Sequence, residues 1–158
     1  KLVASNASPS DWFGSQVALS GDYAIVSAYY EDTTATNSGA AYIFVRSGTT
    51  WSQQAMLKAS DAQEADLFGY GSASIDGATA IVGAPYEDTG GTNPGAAYIF
   101  TRSGTTWTQQ QKIQASDAAA SDYFGASVGI DSDTVVAGAY GEDAEGSNAG
   151  AAYTFIAG

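Results

Sequence analysis

Three copies of one pattern run along the chain. Phe13-Gly14, Phe68-Gly69 and Phe124-Gly125 recur at spacings of 55 and 56 residues, and Gly39-Ala40-Ala41-Tyr42 returns as Gly95-Ala96-Ala97-Tyr98 and Gly150-Ala151-Ala152-Tyr153. Ser47-Gly48-Thr49-Thr50-Trp51 reappears as Ser103-Gly104-Thr105-Thr106-Trp107. A period of this length belongs to stacked units that share a core with their neighbours, so each copy must be one supersecondary unit.

Within a copy, short apolar and β-branched runs are bounded by Gly, Asp and Ser clusters with no sustained helical period. In the first copy the expected strands are Gly14 to Ser20, Tyr23 to Ala28, Gly39 to Arg46 and Trp51 to Ala59. Ser20-Gly21-Asp22 and Ser47-Gly48-Thr49-Thr50 supply hairpin turns, because glycine accepts positive φ. The second copy's one extra residue is expected in the first hairpin, around Asp76-Gly77. Four strands in a unit too thin to cover both its faces predict an all-β fold of β-propeller blades packed face to face. The recurring aromatics, Trp51 and Trp107 among them, are read chiefly as packing between blades.

With 17 acidic and 5 basic residues the net charge is -12, which opposes binding to nucleic acid or anionic membranes, since both need clustered Lys and Arg. The sequence contains no apolar run long enough to span a bilayer and no basic-then-apolar leader pattern, so it is expected not to insert into membranes and to be already processed. Zero cysteines remove disulfides and thiol chemistry, and zero histidines remove the commonest general base. Such a composition suits an extracellular or cell-surface protein.

The Phe-Gly pairs, Gly83-Ala84-Pro85 and the Gly-Ala-Ala-Tyr strands resemble the FG-GAP repeats of integrin α-subunit propellers and, more closely, bacterial FG-GAP-like repeat proteins. The resemblance covers essentially the whole chain and implies a propeller with a role in adhesion or recognition. The first and third copies read Ser27-Ala28-Tyr29 and Gly138-Ala139-Tyr140 where the second has Gly-Ala-Pro. The Asp-x-Asp-x-Asp-Gly calcium loops of the integrin members are missing, because Leu19 to Tyr23, Ile75 to Ala78 and Ile130 to Asp133 are short hairpins poor in carboxylates.

One unit occupies residues 1–158, divided into a closing strand fragment and linker (1–12), repeats at 13–67 and 68–123, and a third at 124–158 that lacks its fourth strand. Lys1-Leu2-Val3-Ala4-Ser5 aligns with Met56 to Ser60 and Lys112 to Ser116, so the two ends together have the makings of one blade. Three blades fall short of a ring. The expectation is a homo-oligomer, most simply a dimer of six blades, joined through the strands Lys1-Ser5 and Gly150-Ala157. A fragment of a longer propeller fits the same observation.

Glu31, Asp32, Asn37 and Gly39 recur as Glu87, Asp88, Asn93 and Gly95 and as Glu142, Asp143, Asn148 and Gly150. Two carboxylates, an amide and free carbonyls are the donors of a calcium shell, so the acidic and amide residues of these loops are candidate calcium ligands. The competing reading is a turn whose Asp and Asn cap their own backbone. Asp11, Asp66 and Asp122 stand two residues before each Phe-Gly pair and are read as strand-entry acceptors for backbone N–H groups, with a ring of carboxylates at the axis as the alternative. Trp12, Tyr30, Tyr86 and Tyr140 are candidate ligand-binding residues, Tyr29 belonging with them, because rings beside carboxylates and amides can hold a polar ring such as a sugar. Packing under the long loop is the other use for them.

The chain is read as a non-enzyme: an extracellular, adhesive or lectin-like module with repeated sites on an acidic face, taking a glycan or protein ligand. The reading from another class is a structural subunit of a filament or surface assembly built by strand exchange between chains. Glycoside hydrolysis ranks below both, since acids repeated in every copy single out no catalytic pair.

Overall fold

The computed structural model describes residues 1–158, and all of its regular elements are β-strands. The first blade contains β1 (Val17–Ser20), β2 (Tyr23–Ala28), β3 (Ala40–Ser47) and β4 (Thr50–Leu57). The second contains β5 (Ala73–Asp76), β6 (Thr79–Ala84), β7 (Ala96–Ser103) and β8 (Thr106–Ile113), and the third β9 (Ser127–Asp131), β10 (Thr134–Ala139) and β11 (Ala151–Ile156). Each sheet is an antiparallel meander, of four strands in the first two blades and three in the last. The short inner strands β1, β5 and β9 lie side by side, which sets the three blades around a common axis.

Period-two alternation decides which neighbour each side chain meets. Ile25, Ala41 and Ile43 leave blade 1 on the face that packs against Phe68, Val82 and Tyr98 of blade 2. Ile81, Ala97 and Ile99 repeat that contact against Phe124, Val135 and Ala137 of blade 3. Phe68 and Phe124 are wholly buried, and each such side chain contributes about 1.5–3 kcal/mol by leaving water. Glycine lets the blades approach this closely. A Cβ on Gly95, held at φ +81, would stand 2.3 Å from the Phe124 carbonyl oxygen, and one on Gly125 2.2 Å from that of Ala96.

The extra residue of the second copy is not in the first hairpin. Ser20 pairs with Tyr23, Asp76 with Thr79 and Asp131 with Thr134, so all three hairpins have two-residue turns. Such turns match strand twist, and lengthening one would splay the strands. The added residue lies instead between Phe68 and Ala73: Gly69 and Ser72 both bond to the Gly83 backbone, with Tyr70 and Gly71 between them where the first blade has only Ser15 between Gly14 and Gln16.

Lys1–Ser5 packs on the outer side of blade 1, where Ala4 joins a core cluster with Val26, Tyr42 and Phe44. The Ser5 N–H donates to Gln53 Oε1 at 2.9 Å, just as the Ser60 N–H donates to Gln109 Oε1 at 2.9 Å. This segment stands where the tail of β4 stands relative to blade 2.

Candidate functional site

The β2–β3 type loops and the blade-to-blade segments gather at one end of the propeller, where Lys58 Nζ reaches Thr34 Oγ1 at 2.8 Å. Here the Glu-Asp-Asn pattern has a structural role. Glu31 is buried, its Oε2 2.5 Å from Lys58 Nζ and its Oε1 accepting the Thr33 N–H and Asn6 Nδ2, both at 3.1 Å. Glu87 repeats this with Lys112 at 2.8 Å, the Thr89 N–H at 2.9 Å and Gln114 Nε2 at 3.2 Å. Lys112 also lies 2.7 Å from Asp61. Burial by itself opposes the charge on both groups, but the contacts outweigh it, raising Lys112 and lowering Asp61 from their ordinary pKa values. Glu142 accepts the Ala144 N–H at 2.8 Å and meets no basic side chain.

Asp32 Oδ1 takes the Asn37 N–H at 2.8 Å, while Asp88 and Asp143 stay exposed. Asn37, Asn93 and Asn148 adopt φ of 54, 53 and 51, the left-handed conformation asparagine tolerates well. The carbonyls of Asn37 and Asn93 accept the N–H groups of Leu67 and Tyr123, both at 3.2 Å, across the blade boundary. No three acidic side chains converge, and in the first two loops Glu31 and Glu87 turn toward Lys58 and Lys112 rather than toward the neighbouring Asp.

Asp11, Asp66 and Asp122 are buried and accept the N–H groups of Ser8, Gln63 and Ala119 at 2.8, 2.7 and 2.7 Å. Each fixes the turn entering its blade. Burial, helped by Glu87, Asp88 and Asp61, pushes the Asp66 carboxyl up to about 6, against the lowering effect of the Gln63 N–H.

The predicted aromatic residues do come together, and on the axis. Trp12 lies edge-on to Tyr29 and Tyr30, with both centroids at 5.6 Å. Tyr29 touches Tyr70 at 4.9 Å, Tyr70 touches Tyr86 at 5.3 Å, Tyr86 touches Tyr123 at 5.6 Å, and Tyr123 stacks on Tyr140 at 5.0 Å. The result is one aromatic arc crossing all three blades. It borders a cavity of about 550 Å³ lined by Trp12, Tyr29, Tyr70, Pro85 and Tyr140 together with small or amide residues, and by no charged side chain. Trp12 and Tyr140 are 60% and 58% exposed, so these rings face solvent rather than a core. Burial and neighbouring tyrosines raise the Tyr29, Tyr86 and Tyr140 hydroxyls, which therefore stay neutral donors at physiological pH.

Residues 1–44, 51–100 and 107–155 each match the family described as FG-GAP repeat. The chain belongs to the FG-GAP repeat family. FG-GAP repeats build propeller-type binding or structural modules, are generally non-enzymatic and occur in extracellular proteins. No curated protein matches the chain, and no helix is long and apolar enough to cross a membrane. The second FG-GAP match begins in β4 and ends in β7, so the sequence unit takes its first strand from one blade and its other three from the next.

Tyr70 and Tyr123 are the members of the arc that the sequence did not offer as binding residues. Tyr123 occupies the position of Trp12 and Leu67, and a comparison of those three positions would have raised it. Tyr70 belongs to the extra residue's segment and has no counterpart in the other blades. Locating that insertion by counting from Phe68 to the following strand, one residue longer than from Phe13 or Phe124, was the available signal.

Proposed function

We propose that the chain is a non-catalytic extracellular recognition module whose axial aromatic cleft holds a polar ring, a saccharide being the fitting class. The observation that carries this is the arc of seven rings, four of which, Trp12, Tyr29, Tyr70 and Tyr140, line an uncharged cavity that is open to solvent. Sugars present apolar C–H faces to aromatic rings and hydroxyls to phenols and amides, and this lining offers Trp12 and Tyr140 for the first task and Gln16, Ser15 and the neutral phenols for the second. Glycoside hydrolysis calls for two carboxylates flanking the bond, and the cavity lining has none. The segment that breaks the threefold repetition is the one that inserts Tyr70 at the middle of the arc, which marks this place as distinct from the repeated scaffold. Adhesion would follow if several such modules were displayed together, since weak sites gain strength through multivalency.

A screen of saccharides read by tryptophan fluorescence tests this, because Trp12 borders the cleft while Trp51 and Trp107 pack at the outer strands. A ligand that quenches Trp12 should lose roughly fivefold to tenfold in affinity on Tyr70→Ala, taking about 1 kcal/mol for one aromatic contact. Binding unchanged by both Trp12→Ala and Tyr70→Ala would place the site elsewhere, and a screen without any ligand would remove the saccharide reading.

A further inference from the structure

We infer that two copies of this chain associate head to tail, with the Glu142 to Gly150 loop of blade 3 receiving the N-terminal segment of the second copy, whose Lys1 completes the unpaired Glu142–Asp117 site. The inference goes beyond the saccharide reading and is independent of it.

Several contacts by which one blade holds the next, made by the loops and the first three strands, have an unused half on each side of the molecule. At the two internal boundaries the carbonyls of Asn37 and Ser38 accept the N–H groups of Leu67 and Phe68, and those of Asn93 and Pro94 accept Tyr123 and Phe124. The blade 3 loop carries the same conformation, with Asn148 at φ 51 and Gly150 at φ 76, while the Asn148 and Ala149 carbonyls receive no backbone N–H. Trp12 and Phe13 are the corresponding donors, and their N–H groups make no backbone bond. The glycines agree. A Cβ on Gly69 or Gly125 would collide with the preceding blade, whereas one on Gly14 would meet nothing within 4 Å.

Charge selects the same pairing. In blade 2, Lys112 bridges Glu87 and Asp61, and Lys1 aligns with Lys112 as Glu142 and Asp117 align with Glu87 and Asp61. Glu142 is only 8% exposed and has no cation, while Asp117 accepts only the Tyr153 hydroxyl, at 2.7 Å. Lys1 is in no ion pair. The apolar faces also correspond. Ile81 packs against Val128 and Ile130, and the equivalent surfaces are Val136 on one side and Val17 with Leu19 on the other, exposed at 44%, 69% and 71%. On the opposite end of the propeller the Ser132 N–H donates to Asp76 at 2.8 Å, and Asp131 is left to receive the Gly21 N–H in the same way. Head-to-tail contacts of this kind close a ring when the rotation permits, and two copies make six blades, within the usual propeller range of about four to eight.

The test is sedimentation equilibrium and native mass spectrometry of the 158-residue chain, of Lys1→Glu, of Glu142→Lys and of Lys1→Glu/Glu142→Lys. A discrete dimer is expected, weakened at least tenfold by either single reversal and restored by the double one, since the salt bridge is then rebuilt with its signs exchanged. Lys1→Glu alters an exposed terminal residue and leaves folding intact, so its effect reports association. Leu19→Asp, on the exposed face, should likewise yield a folded monomer. A monomer at about 100 µM, an open series of larger species or a double reversal no better than the singles would each overturn the inference.

Discussion

Lys112→Met should strand the Glu87 carboxylate, and blade 1 shows how to repair it. Lys112 Nζ lies 2.8 Å from Glu87 and 2.7 Å from Asp61, with side-chain exposures of 20% for the lysine and 1% for Glu87. Losing one partner of a fully buried pair costs about 3–5 kcal/mol. Lys112 keeps some water and Glu87 would keep the Thr89 N–H and Gln114, so about 2–3 kcal/mol is expected. For a chain of this size that lowers Tm by about 4–12 °C. In blade 1 the aligned residue is already methionine, Met56, and the cation arrives from Lys58 at the position of Gln114. Lys112→Met/Gln114→Lys should therefore recover most of the loss, a coupling of about 1.5 kcal/mol or more in a double-mutant cycle. Urea titrations followed by circular dichroism, with the thermal midpoint as a second readout, measure all four members of the cycle. A neutral Lys112→Met, or a double variant no more stable than the single one, would refute the account of these loops as ion-paired clamps.

Three further outcomes follow from the same geometry. Because the folded Asp66 carboxyl titrates at about 6, above the unfolded value of about 3.9, its contribution favours the folded state at low pH and is lost as pH rises from about 4 to about 6. Asp66→Asn, which retains an oxygen for the Gln63 N–H, should flatten that interval of the stability profile; an unchanged slope would contradict it. Gly83 has an ordinary φ, yet a Cβ there would lie 1.9 Å from the Gly125 carbonyl oxygen, so Gly83→Ala should cost about 3 kcal/mol, whereas Gly129→Ala meets only a Val136 methyl at 3.3 Å and should cost under about 1 kcal/mol in the same titrations. Millimolar calcium or its chelation should shift Tm by less than about 1 °C, as the Glu31 and Glu87 carboxylates are held by lysines; a calcium-dependent rise of several degrees would show a donor set that the loops form only around the ion.

The strands were legible because each lies between turn residues and the pattern is stated three times. The β2 strand Tyr23–Ala28 stands where the sequence put it, and β3 and β4 differ from expectation by one or two residues at their ends. The insertion was misplaced because Asp76-Gly77 and Gly69-Tyr70-Gly71 are equally rich in turn residues, and only strand register tells a two-residue hairpin from a longer one. At the site, a pattern of Glu, Asp and Asn reads alike as metal ligands or as loop clamps until the partners are known. Those partners, Lys58 and Lys112, sit at different strand positions in the two blades, which concealed a shared role. The aromatic arc was half visible: Trp12, Tyr30, Tyr86 and Tyr140 were offered, but the rings of blade 1 reach Tyr86 through Tyr70, which repetition could not point to, and Tyr86 reaches Tyr140 through Tyr123.

The offset between the FG-GAP sequence unit and the blade bears on how such a chain can be cut and copied. A protease acting at Gly48-Thr49 would sever one sequence unit from the next yet leave β3 and β4 zipped from Ala41–Leu57 to Ser47–Thr50, so the pieces would travel together. Duplication meets the same rule from the other side. Each copied unit delivers an outer strand to the blade before it and three strands that wait for the unit after it, so lengthening the gene adds whole blades and carries the same one-strand offset to wherever a ring closes.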